Sequence, residues 1–454
     1  MQIQAVNPAL FPLILRFCHK HTRLQELLAE LTPWLENDAP EAVRTRFESL
    51  RRAPLDWEAL QNLSPEEETL LWDSLVLLTG LVHFPESLHE VLQTWAELLG
   101  YQGLEENFAK QREELERDLE EDRSMWLLRS CKALQEYWKT GLTPFYGFYS
   151  QRLLHLLSNQ RSSSLWGYLA ALFLPPRTAP LAEALIPESD FSVWMEGLKK
   201  EGYAVFPGQI PLEQVQNLVQ FAENTPCTPS YHDREVFDRL SGKQLVEPIL
   251  FDPQQPVARR YNFSPHQFVH LPEVQALMAH PDLWASARAY LQAEPQLVLA
   301  SLWWSSDFQG PHSRYTGQVW HIDIDRFRFL NFFVYLTPVG LENGPHDYIR
   351  NTQGEKPLLL CVDKRMTPEE MEAHYAQDDF ATICGPAGTI FAADTRAFHR
   401  GRPLEEGKRL ILQLDFATDR FGENCPRVPV QATHSGFAEM RRTYPENFYN
   451  YPEV

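Results

Sequence analysis

Two histidines and one aspartate, from two separate stretches of the chain, are residue types that can bind a metal ion together. His321 and Asp323 lie one residue apart in QVWHIDIDRFRFLNFFVYLT (318–337), and His399 follows the apolar run GTIFAAD. In an extended segment, residues two apart point the same way, so His321 and Asp323 present an imidazole and a carboxylate side by side. Two histidines and one carboxylate on one face of a metal form the facial triad of non-haem Fe(II) oxygenases, which leaves positions open for a cosubstrate and O2. We therefore predict that these three residues are the metal ligands and the catalytic residues.

A rival carboxylate lies close by. Asp325 is on the same strand face as Asp323. Asp323 is preferred because a ligand two positions from His321 reaches the same ion without bending the strand. A lone His-x-Asp is common, and His399 alone could be an ordinary loop histidine. His346, in ENGPHDYIR, is expected to be a loop residue. The order of the elements favours a metal site: His-x-Asp opening a strand, a long insertion, a glycine-rich strand, His-Arg-Gly, and an arginine opening the next strand.

Two further polar residues are candidates for binding a cosubstrate. Arg409 opens the strand RLILQLDFA ten residues beyond His399, after a predicted hairpin turn at 405–407. Its guanidinium fork matches a carboxylate with two parallel hydrogen bonds, so it could hold the distal carboxylate of 2-oxoglutarate while the keto acid end chelates the iron. The alternative is an exposed hairpin arginine. Asn331 is the odd polar residue in an apolar strand, and either bonds a local backbone group or contacts cosubstrate or substrate.

Bulk composition limits the kinds of partner. The 454 residues carry a formal net charge of −20, which disfavours nucleic acid and anionic membranes as partners. Six cysteines without a CxxC pair favour a reducing compartment, so we expect a cytoplasmic protein. The longest apolar stretch, 70–84, is too short to span a membrane and contains Asp73, and we find no signal peptide.

The hydrophobic pattern of the sequence changes near residue 185. Residues 1–185 have helical periodicity and predict a mostly α-helical N-terminal domain of unknown role. The proline-rich segment FLPPRTAPLAEALIPESD is the best boundary, and the second domain is predicted at 186–454, with a tail at 420–454 that wraps the surface. A turn is predicted at Pro207-Gly208, between a short strand and a helix. Strands dominate from about 296 onward and indicate an antiparallel sandwich or jelly roll. The fold class is thus α+β, and the insertion 338–384 is the natural lid over the site.

Four stretches make the chain resemble the phytanoyl-CoA dioxygenase family of Fe(II)- and 2-oxoglutarate-dependent oxygenases. LKKEGYAVFPGQIPLEQVQNL is similar to the family's opening helix, strand and helix, and WHIDID holds the metal pair. YLTPVGLENGPHDYIRNTQ resembles the following strand with its asparagine-glycine loop. GPAGTIFAADTRAFHRG, followed by the Lys-Arg pair, resembles the closing strands. The resemblance covers about 190–420.

The resemblance implies a fold and a cofactor set. The family fold is a double-stranded β-helix, that is, a cupin-like jelly roll. Carried onto this chain, His321, Asp323 and His399 would bind iron, Arg409 would bind 2-oxoglutarate, and O2 would be the oxidant. One departure follows the asparagine-glycine loop: relatives often have PGSH where this chain has Ile-Arg-Asn-Thr-Gln at 349–353. Contacts in that loop are therefore not carried over.

The function expected from these features is oxidative chemistry at an unactivated C–H bond. Hydroxylation, with release of succinate and CO2, is the leading hypothesis; desaturation or cyclisation is the alternative. Halogenation is disfavoured, because halogenases of this fold lack the carboxylate that Asp323 provides. A non-catalytic jelly-roll binding protein is the alternative from another class. The substrate is expected to be a small molecule or a carrier-tethered one, and the helical region could recruit a protein partner.

Overall fold

The computed structural model describes most of the C-terminal part of the chain. The described residues are 188–231, 246–310, 317–354, 356–357, 360 and 365–454, together with 133, 136, 137, 140, 143 and 151. The predicted helical domain 1–185 lies almost wholly outside them, so it stays a prediction, as does the boundary at 186. Within the described residues no helix is long and apolar enough to span a membrane.

Two antiparallel sheets form the framework. Their strands, in chain order, are β1 (Tyr203–Gln209), β2 (Thr228–Pro229), β3 (Arg260–Asn262), β4 (Gln296–Ser306), β5 (Phe329–Tyr335), β6 (His346–Ile349), β7 (Phe380–Ile383), β8 (Thr389–Ala393), β9 (His399–Gly401) and β10 (Lys408–Ala417). The major sheet has the order β1-β8-β5-β10-β4-β3-β2, and the minor sheet has the order β7-β6-β9. This arrangement is the cupin-like jelly roll that the sequence predicted.

The central strand β5 shows why the major sheet is buried on both faces. All seven of its residues are buried. Alternate side chains, among them Leu330, Phe332 and Val334, pack into the main core on the outer face. Phe333 and Tyr335 point the other way and pack with residues of the minor sheet. Side chains alternate along a strand, so an uninterrupted apolar run predicts a strand covered from both sides.

Helices cover the outer face of the major sheet. They are α1 (Glu188–Glu201), α2 (Leu212–Asn224), α3 (Pro265–Phe268), α4 (Pro272–Met278), α5 (Pro281–Leu291) and α7 (Ser435–Thr443), with a short 3-10 turn at Pro445–Phe448. Helix α6 (Pro368–Glu372), which a 3-10 turn at Gln377–Asp379 follows, lies elsewhere: its Met371 packs with Trp320, Ile349 and Phe398. Trp284 of α5 packs edge-on against Phe416 of β10, with ring centroids 4.9 Å apart. Proline begins α3 to α6, where its missing N–H costs no intrahelical hydrogen bond.

Three details of the predicted elements are wrong. The run 318–337 is not one strand: β5 begins only at Phe329, after bends at 325–328. The bends bury Arg326 and half-bury Arg328, and the guanidinium groups of these residues donate to the backbone carbonyls of Glu423 and Tyr290. The predicted turn at 207–208 falls inside β1, where the pairing with β8 shifts register.

The third error concerns the tail, 420–454, which does more than wrap the surface. Val428, Phe437 and Phe448 are fully buried in the main core. A tail rich in proline and tyrosine therefore supplies core side chains that its polar composition did not indicate.

A few residues of the N-terminal region contact the segment that follows β10. Tyr137 accepts a hydrogen bond at its hydroxyl from the backbone N–H of Arg420, at 3.0 Å. Thr143 and Asn424 exchange two hydrogen bonds, of 3.0 and 2.7 Å. Ala133 and Tyr137 also pack against Phe327 and Phe421. This part of the N-terminal region thus lies against the bends that precede β5.

Candidate metal centre

Two histidines and one aspartate converge at the open end between the two sheets. One ligating atom from each of His321, Asp323 and His399 lies within 4.8 Å of the others. The Nε2 atom of His321 is 3.6 Å from one carboxylate oxygen of Asp323, and the Nε2 atom of His399 is 3.4 Å from the other. Asp325, the rival carboxylate, is not in this cluster.

Backbone pairing holds the three side chains together. His321 and His399 face each other in an antiparallel bridge and exchange two backbone hydrogen bonds, of 3.1 and 3.0 Å. The backbone N–H of Asp323 donates to the carbonyl of Thr395 at 2.8 Å. Asp323 therefore follows His321 along the same paired edge. The 77 residues between the histidines return the chain to this edge.

Both imidazoles are fixed in the tautomer that a metal requires. Nδ1 of His321 donates to the carbonyl of Val319 at 2.8 Å, and Nδ1 of His399 donates to the carbonyl of Ala397 at 3.0 Å. A carbonyl only accepts, so the proton of each neutral ring is on Nδ1 and the lone pair is on Nε2. Hydrogen bonds of this kind orient metal-binding histidines in proteins.

The electrostatics of the cluster favour the ligating forms. Burial lowers the pKa of His321 well below its usual value, and the neighbouring His399 acts in the same direction. Burial alone would raise the pKa of Asp323, but His399, His321 and a hydrogen bond from Thr395 together hold it below its usual range. A neutral imidazole and an ionised carboxylate are the forms that bind a cation. The donor set, two nitrogens and one carboxylate with Asp323 28% exposed, fits Fe(II) with open positions.

Arg409 is buried on the inner face of β10. It is 4% exposed, so the alternative of an exposed hairpin arginine is wrong. Its Nη2 donates to the hydroxyl of Ser305 at 3.1 Å, and its Nη1 donates to the carbonyl of Gly344. Its Nε has no hydrogen-bond partner among the described residues. No carboxylate of the described chain forms an ion pair with it, and burial lowers its pKa.

Asn331 bonds to other side chains rather than to the backbone. Its amide nitrogen donates to the hydroxyl of Thr395 at 2.7 Å, and its amide oxygen accepts from Gln413 at 3.1 Å. Thr395 in turn bonds the carboxylate of Asp323. Asn331 is thus joined through one residue to the acid of the cluster, an arrangement that neither alternative from the sequence described.

A third histidine, His346, lies beside the metal-binding cluster. His346 begins β6 and is 5% exposed, whereas the sequence suggested a loop residue. Its ring lies parallel to that of His399, at 6° with centroids 5.4 Å apart, and it also contacts Phe333. Burial lowers its pKa well below the usual value, and its Nε2 has no partner within the described part of the chain. The alternation of His346 and Tyr348 after the asparagine-glycine turn was the one available signal of an inward-facing strand.

A comparison with known protein families finds a match in this region. Residues 198–408, just under half of the chain, match the profile of the family described as phytanoyl-CoA dioxygenase (PhyH). Over these residues the chain is similar to the phytanoyl-CoA dioxygenase family. The chain is accordingly an Fe(II)- and 2-oxoglutarate-dependent oxygenase, with O2 as its further cosubstrate. No curated protein matches the chain by sequence.

Several solved structures are similar to the phytanoyl-CoA dioxygenase domain at a low level. EctD from S. alaskensis, in its apoform, has 19% identity and a TM-score of 0.37, covering 57% of this chain and 94% of its own. The non-heme alpha ketoglutarate dependent epimerase SnoN from nogalamycin biosynthesis has 13% identity and a TM-score of 0.35, covering 51% and 84%. HygX from Streptomyces hygroscopicus, with nickel, 2-oxoglutarate and hygromycin B bound, has 15% identity and a TM-score of 0.31, covering 51% and 87%. These similarities are too weak to bear on function.

The loop at 349–353, where members of the phytanoyl-CoA dioxygenase family often have PGSH, makes a tight turn. Asn351 in this loop has a φ of 58°. Asparagine is among the residues that tolerate this left-handed conformation best after glycine. The hydroxyl of Thr352 donates to the carbonyl of Ile349 at 2.8 Å and accepts from the N–H of Phe398 at 3.0 Å. The turn therefore ties β6 to the segment that carries His399.

Buried neutral histidines make the metal-free phytanoyl-CoA dioxygenase domain sensitive to acid. Burial lowers the pKa of His280, His321 and His346 in the folded state. Below about pH 6.5 the unfolded chain then binds more protons than the folded one, so stability is lost as the pH falls. We expect the replacement His346→Leu to reduce this loss by up to about 1.4 kcal/mol per pH unit. The measurement is urea unfolding of the metal-free protein at pH 7.5 and pH 5.5.

An exposed histidine provides the control for this prediction. His374 lies on the surface after α6, so His374→Leu should leave the pH dependence of unfolding as in the wild type. The replacement of His346 should also raise stability at pH 7.5, because it removes a buried polar atom without a partner, which costs about 1–3 kcal/mol. An unchanged slope in the His346 variant would show that this ring is not held neutral.

Proposed function

We propose that this oxygenase hydroxylates an unactivated C–H bond of a small-molecule or carrier-tethered substrate, with release of succinate and CO2. The observation that carries the proposal is the convergence of two Nε2 atoms and one carboxylate within 4.8 Å. Asp323 supplies the carboxylate, so a halide has no vacated ligand position and halogenation is disfavoured. Desaturation or cyclisation requires the same centre and would be distinguished by the product.

His321, Asp323 and His399 would hold the Fe(II) ion. Bound there, the iron with 2-oxoglutarate and O2 supplies the oxidising power that no amino-acid side chain provides. The protein contributes ligands fixed before the ion arrives. Each imidazole is oriented by its Nδ1 hydrogen bond, and Asp323 is held through Thr395 and Asn331.

Arg409 would bind the distal carboxylate of 2-oxoglutarate. The support is its burial, its position on the strand that follows His399, and the absence of a carboxylate partner in the described residues. His346 stacks on His399, and burial, His399 and the charge of Arg409 all lower its pKa. Its Nε2 and the Nε of Arg409 are buried polar atoms that cosubstrate oxygens would satisfy.

The inner face excludes water around the reacting atoms. Phe333, Tyr335 and Phe391 pack together beside the cluster, with centroid separations of 5.0 and 5.2 Å. A dry surrounding strengthens the hydrogen bonds and ion pairs that position the cosubstrate. The 338–384 segment contributes β6 and β7, which form one wall, so its proposed action as a lid would involve only its remaining loops.

The test is an anaerobic titration of the full-length protein with Fe(II) and 2-oxoglutarate. We expect a weak visible charge-transfer band that appears only when both are present and saturates at one equivalent of each. Screening metabolites for stimulated succinate release would then identify the substrate, and mass spectrometry of the product would separate hydroxylation (one added oxygen) from desaturation (two lost hydrogens). A wild-type protein that gives no band would refute the proposed function.

A further inference from the structure

A second arginine lies beside Arg409 on the inner face of the major sheet. Arg260 of β3 pairs with Ser305 of β4, and Arg409 of β10 pairs with the same serine from the other side. Side chains directly opposite each other in antiparallel strands share a face, so all three point to the same side of the sheet. Neighbouring strands are about 4.8 Å apart, which places the two arginine backbones roughly 10 Å apart across the site.

Arg260 is half-buried and lacks the acidic partner that the buried Arg288 and Arg326 have. Arg288 pairs with Glu294 at 2.9 Å, and Arg326 lies 3.6 Å from Asp415. The guanidinium of Arg260 instead lies over the ring of Trp303, at 4.1 Å from its centroid, and its Nε donates to the side chain of Asn262 at 2.7 Å. Within the described chain no carboxylate lies within ion-pair distance of it.

The surroundings of Arg260 connect it to the centre. Burial lowers its pKa to about 10, the charge of Arg409 acts in the same direction, and the carboxylate of Asp323 opposes both. Its guanidinium therefore lies close enough to sense both the cosubstrate arginine and the metal ligand. A buried cation without a counter-charge is costly unless a ligand supplies one.

Charge counting indicates what that ligand is. With iron and cosubstrate bound, the two carboxylates of 2-oxoglutarate and that of Asp323 balance the ferrous ion and Arg409. Among the described residues of the site, no acidic group remains to balance the positive charge of Arg260. Arg365, which acts electrostatically on His321, also adds positive rather than negative charge around the site. The remaining reactant is the primary substrate.

We infer that Arg260 binds an anionic group, a carboxylate or a phosphate monoester, of the primary substrate, and that Trp303 forms the flat apolar surface beside it. The substrate is then an organic anion held by its charged end while a C–H bond faces the iron. This inference rests on the proposed function, because it assigns the second reactant of the same site. A guanidinium fork provides two parallel hydrogen bonds to either kind of anion.

The experiment uses the full-length protein loaded anaerobically with Fe(II) and 2-oxoglutarate. Phenylacetate, phenyl phosphate and the neutral isostere phenylacetamide are titrated in, and their binding is followed by calorimetry and by the change in the charge-transfer band. We expect the better of the two anions to bind the wild type at least about tenfold more tightly than the amide, since a hydrogen bond to a charged group contributes about 1.5–3 kcal/mol. Which anion binds more tightly distinguishes a carboxylate substrate from a phosphate one.

Variants assign the effect to the residue. Arg260→Gln should reduce the preference for the anion to about twofold or less while the 2-oxoglutarate affinity stays within about twofold of the wild type. Arg260→Lys, which keeps the charge and loses the fork, should retain part of the preference. Arg259→Gln is the matched control, because Arg259 donates to the backbone carbonyl of Gly310 and should not affect either ligand.

Three results would overturn the inference. The first is a wild type that binds the amide as tightly as both anions. The second is an Arg260→Gln variant with the preference intact. The third is an Arg260→Gln variant that loses 2-oxoglutarate as Arg409→Ala does, which would assign Arg260 to the cosubstrate. In each case the wild type still gives the charge-transfer band, so the proposed function would survive; loss of the band in the wild type is the separate failure of that function.

Discussion

Replacing Asp323 with alanine is expected to abolish 2-oxoglutarate turnover and to weaken Fe(II) binding by more than about 100-fold. The basis is that even a residue that only orients a metal ligand typically changes metal affinity by about 10–100-fold, and Asp323 is placed to be a ligand itself. Its carboxylate is the only acid in the cluster found among the described residues. Fe(II) affinity by anaerobic calorimetry and succinate release measure the two effects.

The neighbouring acid is the control for this prediction. Asp325 is two residues away and outside the cluster, so Asp325→Ala should keep the affinity and the turnover of the wild type. The fold should survive in the Asp323 variant, because that side chain is partly exposed and alanine keeps the backbone N–H that donates to the carbonyl of Thr395. Equal losses in the two variants would remove Asp323 from the ligand set.

Replacing Arg409 with alanine is expected to raise the 2-oxoglutarate concentration needed for half-saturation by about 100- to 1,000-fold. Breaking a buried charge pair by removing one partner costs about 3–5 kcal/mol, and about 1.4 kcal/mol corresponds to a tenfold change. The band should still form at very high 2-oxoglutarate, because the keto acid end remains free to chelate. Titration of the band and of succinate release with 2-oxoglutarate measures the shift.

Two further variants sharpen the test of Arg409. Lys408 precedes it on the same strand, points to the other face and pairs with Glu223 at 2.8 Å, so Lys408→Gln should leave the requirement unchanged. Arg409→Lys keeps a charge without the fork and should fall between wild type and alanine. A normal 2-oxoglutarate requirement in the alanine variant would exclude the assigned role.

The regular elements of the oxygenase domain were largely predictable from local pattern. The strands Thr389–Ala393 and Lys408–Ala417 and the helix–strand–helix start at 188–224 follow directly from apolar periodicity and turn residues. The shared direction of His321 and Asp323 was predictable because residues two apart on an extended segment point the same way, and their role as metal ligands stays a prediction. The predicted helical domain lies outside the described residues and remains untested.

The remaining features depend on residues far apart in the sequence. The bends at 325–328 exist because Arg326 and Arg328 find carbonyl partners 97 and 38 residues away, which no local pattern encodes. His346 looked like a loop residue because β6 is four residues long and is defined by its pairing with β7 and β9. Arg260 could be linked to Arg409 only once both were known to pair with Ser305.

The backbone bonds exchanged by His321 and His399 bear on how the protein handles its ion. Because main-chain atoms, and not the cation, hold the two rings in register, loading requires little ordering of the ligands. The three ligands are already in place, so an ion that binds would only exchange bound water molecules for them. Removing the ion with a chelator and adding it back should thus be reversible without any refolding of the protein. A redox-inert divalent ion could therefore replace iron in studies of substrate binding.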